Sequence, residues 1–372
     1  DTHRMSTPLL LQPARIGSLE VPNRTVMAPL TRQRSQQPGN VPYALNAEYY
    51  RQRAGAGLII SEGTQITPEG QGYAWTPGIH SEQQIAGWKQ VTDAVHGAGG
   101  RMFAQLWHVG RISHTLVQPN GKAPQAPSAI HAKADVYVQE ADGSHHKAAA
   151  SMPKALETDE IAGIVQAYAQ ATTNSIKAGF DGVEVHSANG YLLDQFLCSD
   201  SNQRTDAYGG SLENRARLVL EVVDATIAAM GDAGRVGVRF SPMGTFNDVN
   251  DANPLETFSY LLNELNSRQL AYVHINKPDW AGGSYEGFEE LLQALREVYK
   301  GDIILAGGLN ADSAEQAITS GLAQFAAFGR PFIANPDLVE RIKQSAPWNQ
   351  INPNTLYGGA EVGYTDYPTM AG

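Results

Sequence analysis

The sequence has 372 residues, with 27 Lys or Arg against 38 Asp or Glu and a formal net charge of −11. This acidic balance argues against nucleic acid or an anionic membrane surface as the main partner, because both attract a positive patch. Hydrophobic residues make up 42% of the chain and charged residues 17%, so the composition supplies a large core and excludes disorder as the dominant state.

A single cysteine, Cys198, leaves no disulfide partner within the chain and no set of thiolates for zinc or an iron–sulfur cluster. No run approaches the roughly 18 apolar residues of a membrane span, and the N-terminus lacks the apolar segment of a signal peptide. We therefore expect a cytoplasmic protein with no membrane partner and no metal centre. The residues before Met5 are left out of the fold assignment, which treats residues 5–372 as a single domain.

Short runs rich in Val, Ile and Phe recur along the chain, and each ends in a polar or glycine-rich cluster, as buried strands do. They predict eight strands, at residues 24–29, 57–62, 101–106, 182–186, 235–240, 271–275, 302–306 and 324–328. The spacing of apolar residues between them predicts helices over 83–98, 159–178, 211–230, 254–267, 285–299 and 312–320. Gly179 and Gly321 stand where a left-handed cap would end two of these helices.

Strand and helix thus alternate about eight times with no evident break, which predicts an α/β protein built as one (β/α)8 TIM barrel. A doubly wound sheet is the competing fold. It is disfavoured because no Gly-x-Gly-x-x-Gly follows an early strand.

Three segments lie outside this repeat. Residues 9–21 resemble an N-terminal hairpin, which we expect to plug the barrel floor. Residues 107–156 form a long insertion after strand three with a hairpin predicted at Asp142-Gly143, and we expect a lid or substrate wall there. Residues 347–372 form a polar, aromatic tail that we expect to pack over the barrel.

Barrel enzymes collect their chemistry at the C-terminal ends of the strands, and the last two strands here end in Gly307-Gly308 and Gly329-Arg330. Glycine lets backbone N–H groups approach an anion, and arginine adds a bidentate charge, so this pair predicts a phosphate-bearing ligand. The alternative is that the glycines only make tight turns and that Arg330 pairs with a carboxylate.

Strand four ends in His186, with Asn189 three residues further on. Two neutral hydrogen-bond donors converging on one point suit a carbonyl or nitro oxygen that gains negative charge during a reaction. The alternative is a structural histidine satisfied by backbone carbonyls.

Arg239 interrupts an apolar strand, and a buried guanidinium needs an anionic or strongly polar partner.

At these positions the sequence resembles the bacterial branch of the old yellow enzyme family of FMN-dependent ene-reductases. The resemblance runs from the first barrel strand to the tail and rests on PNRTVMAPLTR (22–32), AQLWHVGR (104–111), VEVHSANGYLL (183–193), NQRTD (202–206), YGGS (208–211), FGRPFIANP (328–336) and YGGAEVGY (357–364). It implies a tightly but non-covalently bound FMN and NADH or NADPH as the reductant.

The resemblance also implies which residues hold the cofactor. Those matched to the flavin ring are Pro29, Thr31, Gly63, Gln105 and Arg239, and those matched to the FMN phosphate are Gly308, Gly329 and Arg330. Thr31 would hydrogen-bond a flavin carbonyl, Gln105 would hold the pyrimidine edge, and Arg239 would stabilise negative charge on the ring. Gly63 stands where many relatives have alanine, a change that we expect to be tolerated.

For the substrate, the resemblance implies that His186 and Asn189 bind the activating oxygen and that Tyr191 donates the proton. Aromatic positions matched to the substrate pocket are Tyr73, Trp107, Trp280 and Tyr357, although ordinary packing is the alternative for each. The implied substrates are small molecules, namely enones, maleimides, nitroalkenes and nitrate esters, reduced with ping-pong kinetics. The implied assembly is a monomer or a homodimer.

Three other functions stay open from the sequence. Lys277 ends a strand where the lysine of a Schiff-base aldolase could stand. A metal-dependent hydrolase could use His108 and His186, although no histidine pair has ligand spacing. The third is a flavin-binding protein without catalytic turnover.

Overall fold

Eight parallel strands close into a barrel in the computed structural model, which describes residues 7–278 and 286–372. The described strands are β1 (Ala14–Ile16), β2 (Leu19–Val21), β3 (Thr25–Met27), β4 (Leu58–Gln65), β5 (Met102–Trp107), β6 (Gln125–Ala126), β7 (Asp135–Gln139), β8 (His145–Ala149), β9 (Lys154–Ala155), β10 (Gly182–His186), β11 (Val236–Phe240), β12 (Tyr272–Asn276), β13 (Ile303–Ala306) and β14 (Phe325–Phe328). The barrel runs β3-β4-β5-β10-β11-β12-β13-β14, and β14 pairs with β3 to close it. This confirms the predicted (β/α)8 barrel.

Helices surround the barrel and connect its strands. The described helices are α1 (Ala44–Gln52), α2 (Glu82–Gly97), α3 (Thr158–Lys177), α4 (Leu192–Leu197), α5 (Leu212–Met230), α6 (Pro254–Leu265), α7 (Phe288–Val298), α8 (Ala311–Thr319), α9 (Arg330–Ala334) and α10 (Leu338–Lys343). All six predicted helices are present, and Tyr285, the first residue predicted for α7, lies outside the described residues. Gly179 and Gly321 have φ values of 86° and 79°, as the predicted left-handed caps require. None of the described helices is long and apolar enough to cross a membrane.

The barrel interior is apolar at its floor and polar above it. Ile16 and Val21 of the β1–β2 hairpin are buried in one cluster with the lowest inward-facing side chains, which are Val26, Leu58, Phe103, Ile304 and Phe325. The hairpin therefore closes the floor with apolar surface. One layer higher, Gln105, Glu184 and His274 face inward, although branched apolar residues usually fill this part of such barrels.

Above the barrel, the long insertion carries two small strand pairs. Its β7 and β8 form an antiparallel hairpin with Gln139 opposite His145, around the turn predicted at Asp142-Gly143. The β6–β9 pair is parallel and joins the two ends of the insertion. Tyr137 on β7 lies 5.8 Å, between ring centroids, from Tyr357 of the C-terminal tail.

The tail is bound to the segment that follows β3. Arg34 donates hydrogen bonds to the backbone carbonyls of Thr355, Leu356, Ala360 and Val362, at 2.7 to 3.0 Å. Further along the tail, Tyr364 is fully buried, and its ring stacks on Tyr49 of α1 with centroids 4.0 Å apart. These contacts place Tyr357 at the mouth of the barrel.

Candidate active site

A cavity of about 990 Å³ opens at the C-terminal ends of the barrel strands. Most of the site residues predicted from the sequence line it, namely Pro29, Thr31, Gly63, Tyr73, Gln105, Trp107, His186, Asn189, Tyr191, Arg239, Gly308, Gly329, Arg330 and Tyr357. The remaining one, Trp280, lies outside the described residues. Residues from strand ends far apart in the sequence therefore meet at one site, as this fold arranges them.

His186 ends β10 with its imidazole almost completely buried. The backbone N–H of Ala188 donates to its Nδ1 at 3.2 Å, so Nδ1 is the unprotonated nitrogen and Nε2 carries the hydrogen. Burial and the charge of Arg239 lower the pKa of His186 to about 3, which keeps the ring neutral at physiological pH. The Nε2–H group is thus a neutral donor, and the backbone contact is an N–H rather than the carbonyl expected of a structural histidine.

Asn189 is held by polar contacts that leave its amide nitrogen as a donor. Its backbone has φ of 60°, its N–H donates to Oγ of Ser241 at 2.8 Å, and its carbonyl accepts from Asn247 at 2.9 Å. Its side-chain oxygen accepts from Nδ2 of Asn276 at 3.0 Å. With Oδ1 bonded to Asn276, the N–H groups of the Asn189 side chain remain to donate to a ligand.

Arg239 was predicted to need an anionic or strongly polar partner, and the structure shows that this partner is Asn276. Nε of Arg239 donates to Oδ1 of Asn276 at 3.0 Å, and Nη2 donates to the same oxygen. Both residues line the cavity. The guanidinium therefore orients Asn276, which in turn orients Asn189.

Tyr191 precedes α4 and is buried beside the other predicted catalytic side chains. Its hydroxyl lies 2.7 Å from the hydroxyl of Tyr73, and its ring meets Trp107 and His186 edge-on, with centroid distances of 4.7 and 5.0 Å. Burial raises the pKa of Tyr191 to about 12, so the phenol keeps its proton. The site thus holds a protonated, positioned hydroxyl.

The indole of Trp107 packs so closely on Gly63 that it leaves no room for a side chain there. The indole stacks between Tyr73 and His186, with centroids 6.0 and 5.8 Å away. A Cβ atom at Gly63 would lie 2.6 Å from two indole carbons, closer than side chains pack. The expected tolerance of alanine at this position therefore requires Trp107 to move.

The residues predicted to hold the FMN phosphate lie together in the cavity. Gly308 has φ of 63°, and Gly329 caps the N-terminus of α9, an end of a helix that favours an anion. Arg330 is exposed and lines the cavity, and it forms no ion pair within residues 7–278 and 286–372. This disfavours a carboxylate-paired Arg330 and leaves its charge available for the FMN phosphate.

Two of the side chains invoked for the other enzymatic functions, those of Lys277 and His108, are engaged elsewhere. Lys277 does not line the cavity, and its Nζ lies 3.8 Å from Oε1 of Glu289. His108 is buried, with Nε2 2.9 Å from Oε1 of Gln125 and Nδ1 accepting from the N–H of Gly110. Neither an aldolase lysine nor a histidine metal ligand is presented to the cavity by these residues.

Comparison with known proteins agrees with this geometry. Residues 9–349 match the NADH:flavin oxidoreductase / NADH oxidase family, which uses FMN. The chain belongs to this family. The resemblance to the old yellow enzymes is thereby confirmed, and the protein is an NAD(P)H-dependent flavin oxidoreductase with FMN as its cofactor.

Individual relatives in this family are similar over nearly the whole chain. A solved structure of morphinone reductase is 51% identical, with a TM-score of 0.94, over 98% of this chain and 97% of the other. The old yellow enzyme homologue from Zymomonas mobilis is 40% identical, with a TM-score of 0.91, over 97% and 99% of the two chains. The 12-oxophytodienoate reductase 1 of Oryza sativa subsp. japonica is 45% identical over 367 residues, which cover 97% of this chain and 93% of the relative.

Sequence reasoning missed the residues that hold the predicted ones. Ser241 and Asn247 fix the backbone of Asn189. Beneath the cavity, Glu184 bonds both His274 and Gln105. Glu184 and His274 left a signal, since each is a charged or polar residue within an apolar strand. Ser241 and Asn247 left none, because their role depends on how the loop after β11 folds.

Proposed function

We propose that this protein is an ene-reductase that reduces the activated C=C bond of α,β-unsaturated carbonyl and nitro compounds. The observation that carries the proposal is the pair of neutral donors, Nε2–H of His186 and the amide N–H of Asn189, which both line one cavity. Neutral donors stabilise negative charge as it develops on an oxygen.

FMN would lie against Pro29, Thr31, Gln105 and Arg239, with its phosphate at Gly308, Gly329 and Arg330. FMN bound there would supply hydride-transfer chemistry between NADH or NADPH and the substrate, with ping-pong kinetics. His186 and Asn189 would bind the carbonyl or nitro oxygen. Tyr73, Trp107 and Tyr357 would form aromatic walls that orient the substrate and exclude water.

Tyr191 would protonate the α-carbon of the substrate. Its hydroxyl is protonated, because burial raises its pKa to about 12, and it lies against Tyr73, which orients it. Hydride addition at the β-carbon moves electron density onto the oxygen held by His186 and Asn189, and that density returns to the α-carbon as it takes the proton from Tyr191. Names of similar proteins support a reductase of this kind, since they include reductases of morphinone and of 12-oxophytodienoate.

The donor pair is tested by ligand binding, independently of turnover. A phenolate oxygen resembles the charge that develops on the substrate, so 4-nitrophenol should bind the FMN-loaded enzyme at His186 and Asn189. Each of His186→Ala and Asn189→Ala should weaken this binding about tenfold or more in calorimetric titration, because each removes a hydrogen bond to a charged oxygen. His146→Ala, at an exposed histidine on β8, is the matched control and should leave the affinity unchanged. Unaltered affinity in both site variants would refute the donor pair.

A further inference from the structure

A buried carboxylate lies in the barrel directly beneath the active site. Glu184 is fully buried on β10, two residues before His186 and on the same inward face. Three groups hold it, since Oε1 accepts from Nε2 of Gln105 at 2.8 Å, and Oε2 accepts from the hydroxyl of Tyr272 at 2.9 Å and lies 2.8 Å from Nδ1 of His274. None of the predicted roles for site residues uses this carboxylate.

The carboxylate decides which way the amide of Gln105 faces. An ionised carboxylate only accepts hydrogen bonds, so the nitrogen of Gln105 must be the end that meets Glu184. The oxygen, Oε1, is then the free end of the amide. No hydrogen bond to it is formed by any residue of the described ranges, and Gln105 lines the cavity. Gln105 thus offers the cavity an acceptor, which matches the N–H donor on the pyrimidine edge of a flavin.

The same carboxylate is the counter-charge of Arg239. This guanidinium is buried and binds the neutral side chain of Asn276 rather than a carboxylate. Glu184 and Arg239 stand on adjacent strands, β10 and β11, where Glu184 pairs with Gly237 and His186 pairs with Arg239. Burial lowers the pKa of Arg239, and the negative charge of Glu184 opposes this by raising it.

We propose that Glu184 is a positioning residue for FMN, acting through Gln105 and Arg239. It fixes the amide of Gln105 with its oxygen towards the pyrimidine edge, and it offsets part of the positive charge that Arg239 presents to the flavin. Reduction adds negative charge to the ring, so a fixed anion one layer below lowers the reduction potential. The proposal rests on FMN lying against Gln105 and Arg239, as proposed above.

The test is the reduction potential of bound FMN in Glu184→Gln. Removing the charge while keeping the shape should shift the reduction equilibrium about tenfold towards reduced FMN, which is about 30 mV more positive for a two-electron couple. Tyr272→Phe is the matched control, because it removes a hydrogen bond from the same carboxylate without changing a charge. The reduction equilibrium of FMN in Tyr272→Phe should stay within about twofold of that in the wild type. An unchanged potential in Glu184→Gln, or an equal shift in Tyr272→Phe, would overturn the proposal.

Coupling to Gln105 is tested by FMN titration of the apoprotein. Glu184→Gln should weaken FMN binding about tenfold in the wild-type background and have little effect when Gln105 is already leucine, because the lost orientation then has no amide to act on. Equal, additive losses would contradict action through Gln105.

If Glu184→Gln fails to fold, Glu184→Asp takes its place. The shorter side chain keeps the charge but withdraws from Gln105, so FMN affinity should fall while the potential stays near that of the wild type. A shift of about tenfold in the reduction equilibrium of Glu184→Asp would contradict the proposal. Neither measurement uses an enone, so loss of the proposed ene-reductase activity and failure of this inference give different results.

Discussion

Tyr191 is buried with its hydroxyl 2.7 Å from that of Tyr73, which fits a proton donor better than a surface contact. Tyr191→Phe should therefore slow reduction of 2-cyclohexenone by about a hundredfold, the lower end of what a positioned proton donor contributes. Reduction of bound FMN by NADH or NADPH should change little, because it needs no proton from this group. Stopped-flow absorbance measures the two half-reactions separately.

Tyr73→Phe is the matched control for this prediction. It removes the partner of the Tyr191 hydroxyl but leaves the hydroxyl itself, so the enone half-reaction should slow by less than in Tyr191→Phe. If Tyr191→Phe impaired reduction of FMN as strongly as reduction of the enone, Tyr191 would be a structural residue and not the proton donor.

Single residues were predictable where their chemistry contradicts their surroundings. Arg239 in an apolar strand and His186 at a strand end are visible in the sequence, and both line the cavity. Glu184 left the same kind of signal, but its role appears only when Gln105 and His274 arrive from β5 and β12. Contacts across a barrel join residues far apart in the sequence, so spacing alone does not reveal them.

Arg34 joins the C-terminal tail to the barrel. The side chain is buried, and its hydrogen bonds to four tail carbonyls hold the segment that carries Tyr357. Arg34→Met should lower the free energy of unfolding by about 3 kcal/mol, because it removes four hydrogen bonds to partly buried carbonyls of the tail. It should also raise KM for the enone, since Tyr357 lines the cavity in which we propose that the substrate binds. Urea denaturation and steady-state kinetics measure the two effects.

Arg51→Met is the comparison for Arg34→Met. Arg51 is half-exposed on α1 and pairs with Glu48 at the surface, so its loss should change stability by less than about 0.5 kcal/mol. Equal stability of the two variants would contradict a tail held by Arg34.

The long helices were predictable because each shows an apolar stripe, but α1, α4, α9 and α10 were not. The last three span six residues or fewer, too short for a stripe to repeat. In α1 the buried residues include Asn46, Tyr49 and Tyr50, whose polar atoms bond to other elements. Such helices form because of tertiary contacts and not because of local propensity.

At the scale of the whole molecule, the buried carboxyl of Asp194 should make the free energy of unfolding depend on pH. Burial raises the pKa of this carboxyl to about 7, so the folded state binds its proton more tightly than the unfolded chain does. The contribution of Asp194 is therefore fully present below about pH 4 and is lost as the pH rises through 7. Between pH 5 and 7.5 the free energy of unfolding should fall by about 2 kcal/mol more in the wild type than in Asp194→Asn.

Asparagine keeps an oxygen that can accept the hydrogen bond from the N–H of Gly190, so this variant removes the titration without removing the contact. Urea denaturation at the two pH values provides the measurement. Parallel pH profiles for the wild type and Asp194→Asn would show that Asp194 does not titrate in this range.

At this scale the barrel follows from the sequence, since eight buried strands alternating with helices have few other ways to pack. The placement of the insertion and the tail does not follow. Tyr137 and Tyr357 meet over the cavity although 220 positions separate them, and neither segment has a repeat that fixes its path. Their arrangement depends on individual contacts such as those of Arg34.

The central claim is that hydride passes from a nicotinamide nucleotide, through bound FMN, to the activated C=C bond of a substrate. His186 and Asn189 bind the oxygen of that substrate. The most direct test is the absorbance spectrum of the purified, FMN-loaded protein under anaerobic conditions. NADH or NADPH should bleach the flavin band, and 2-cyclohexenone should then restore it. A protein that stays colourless after FMN is added, or that bleaches and does not recover with the enone, would contradict the account.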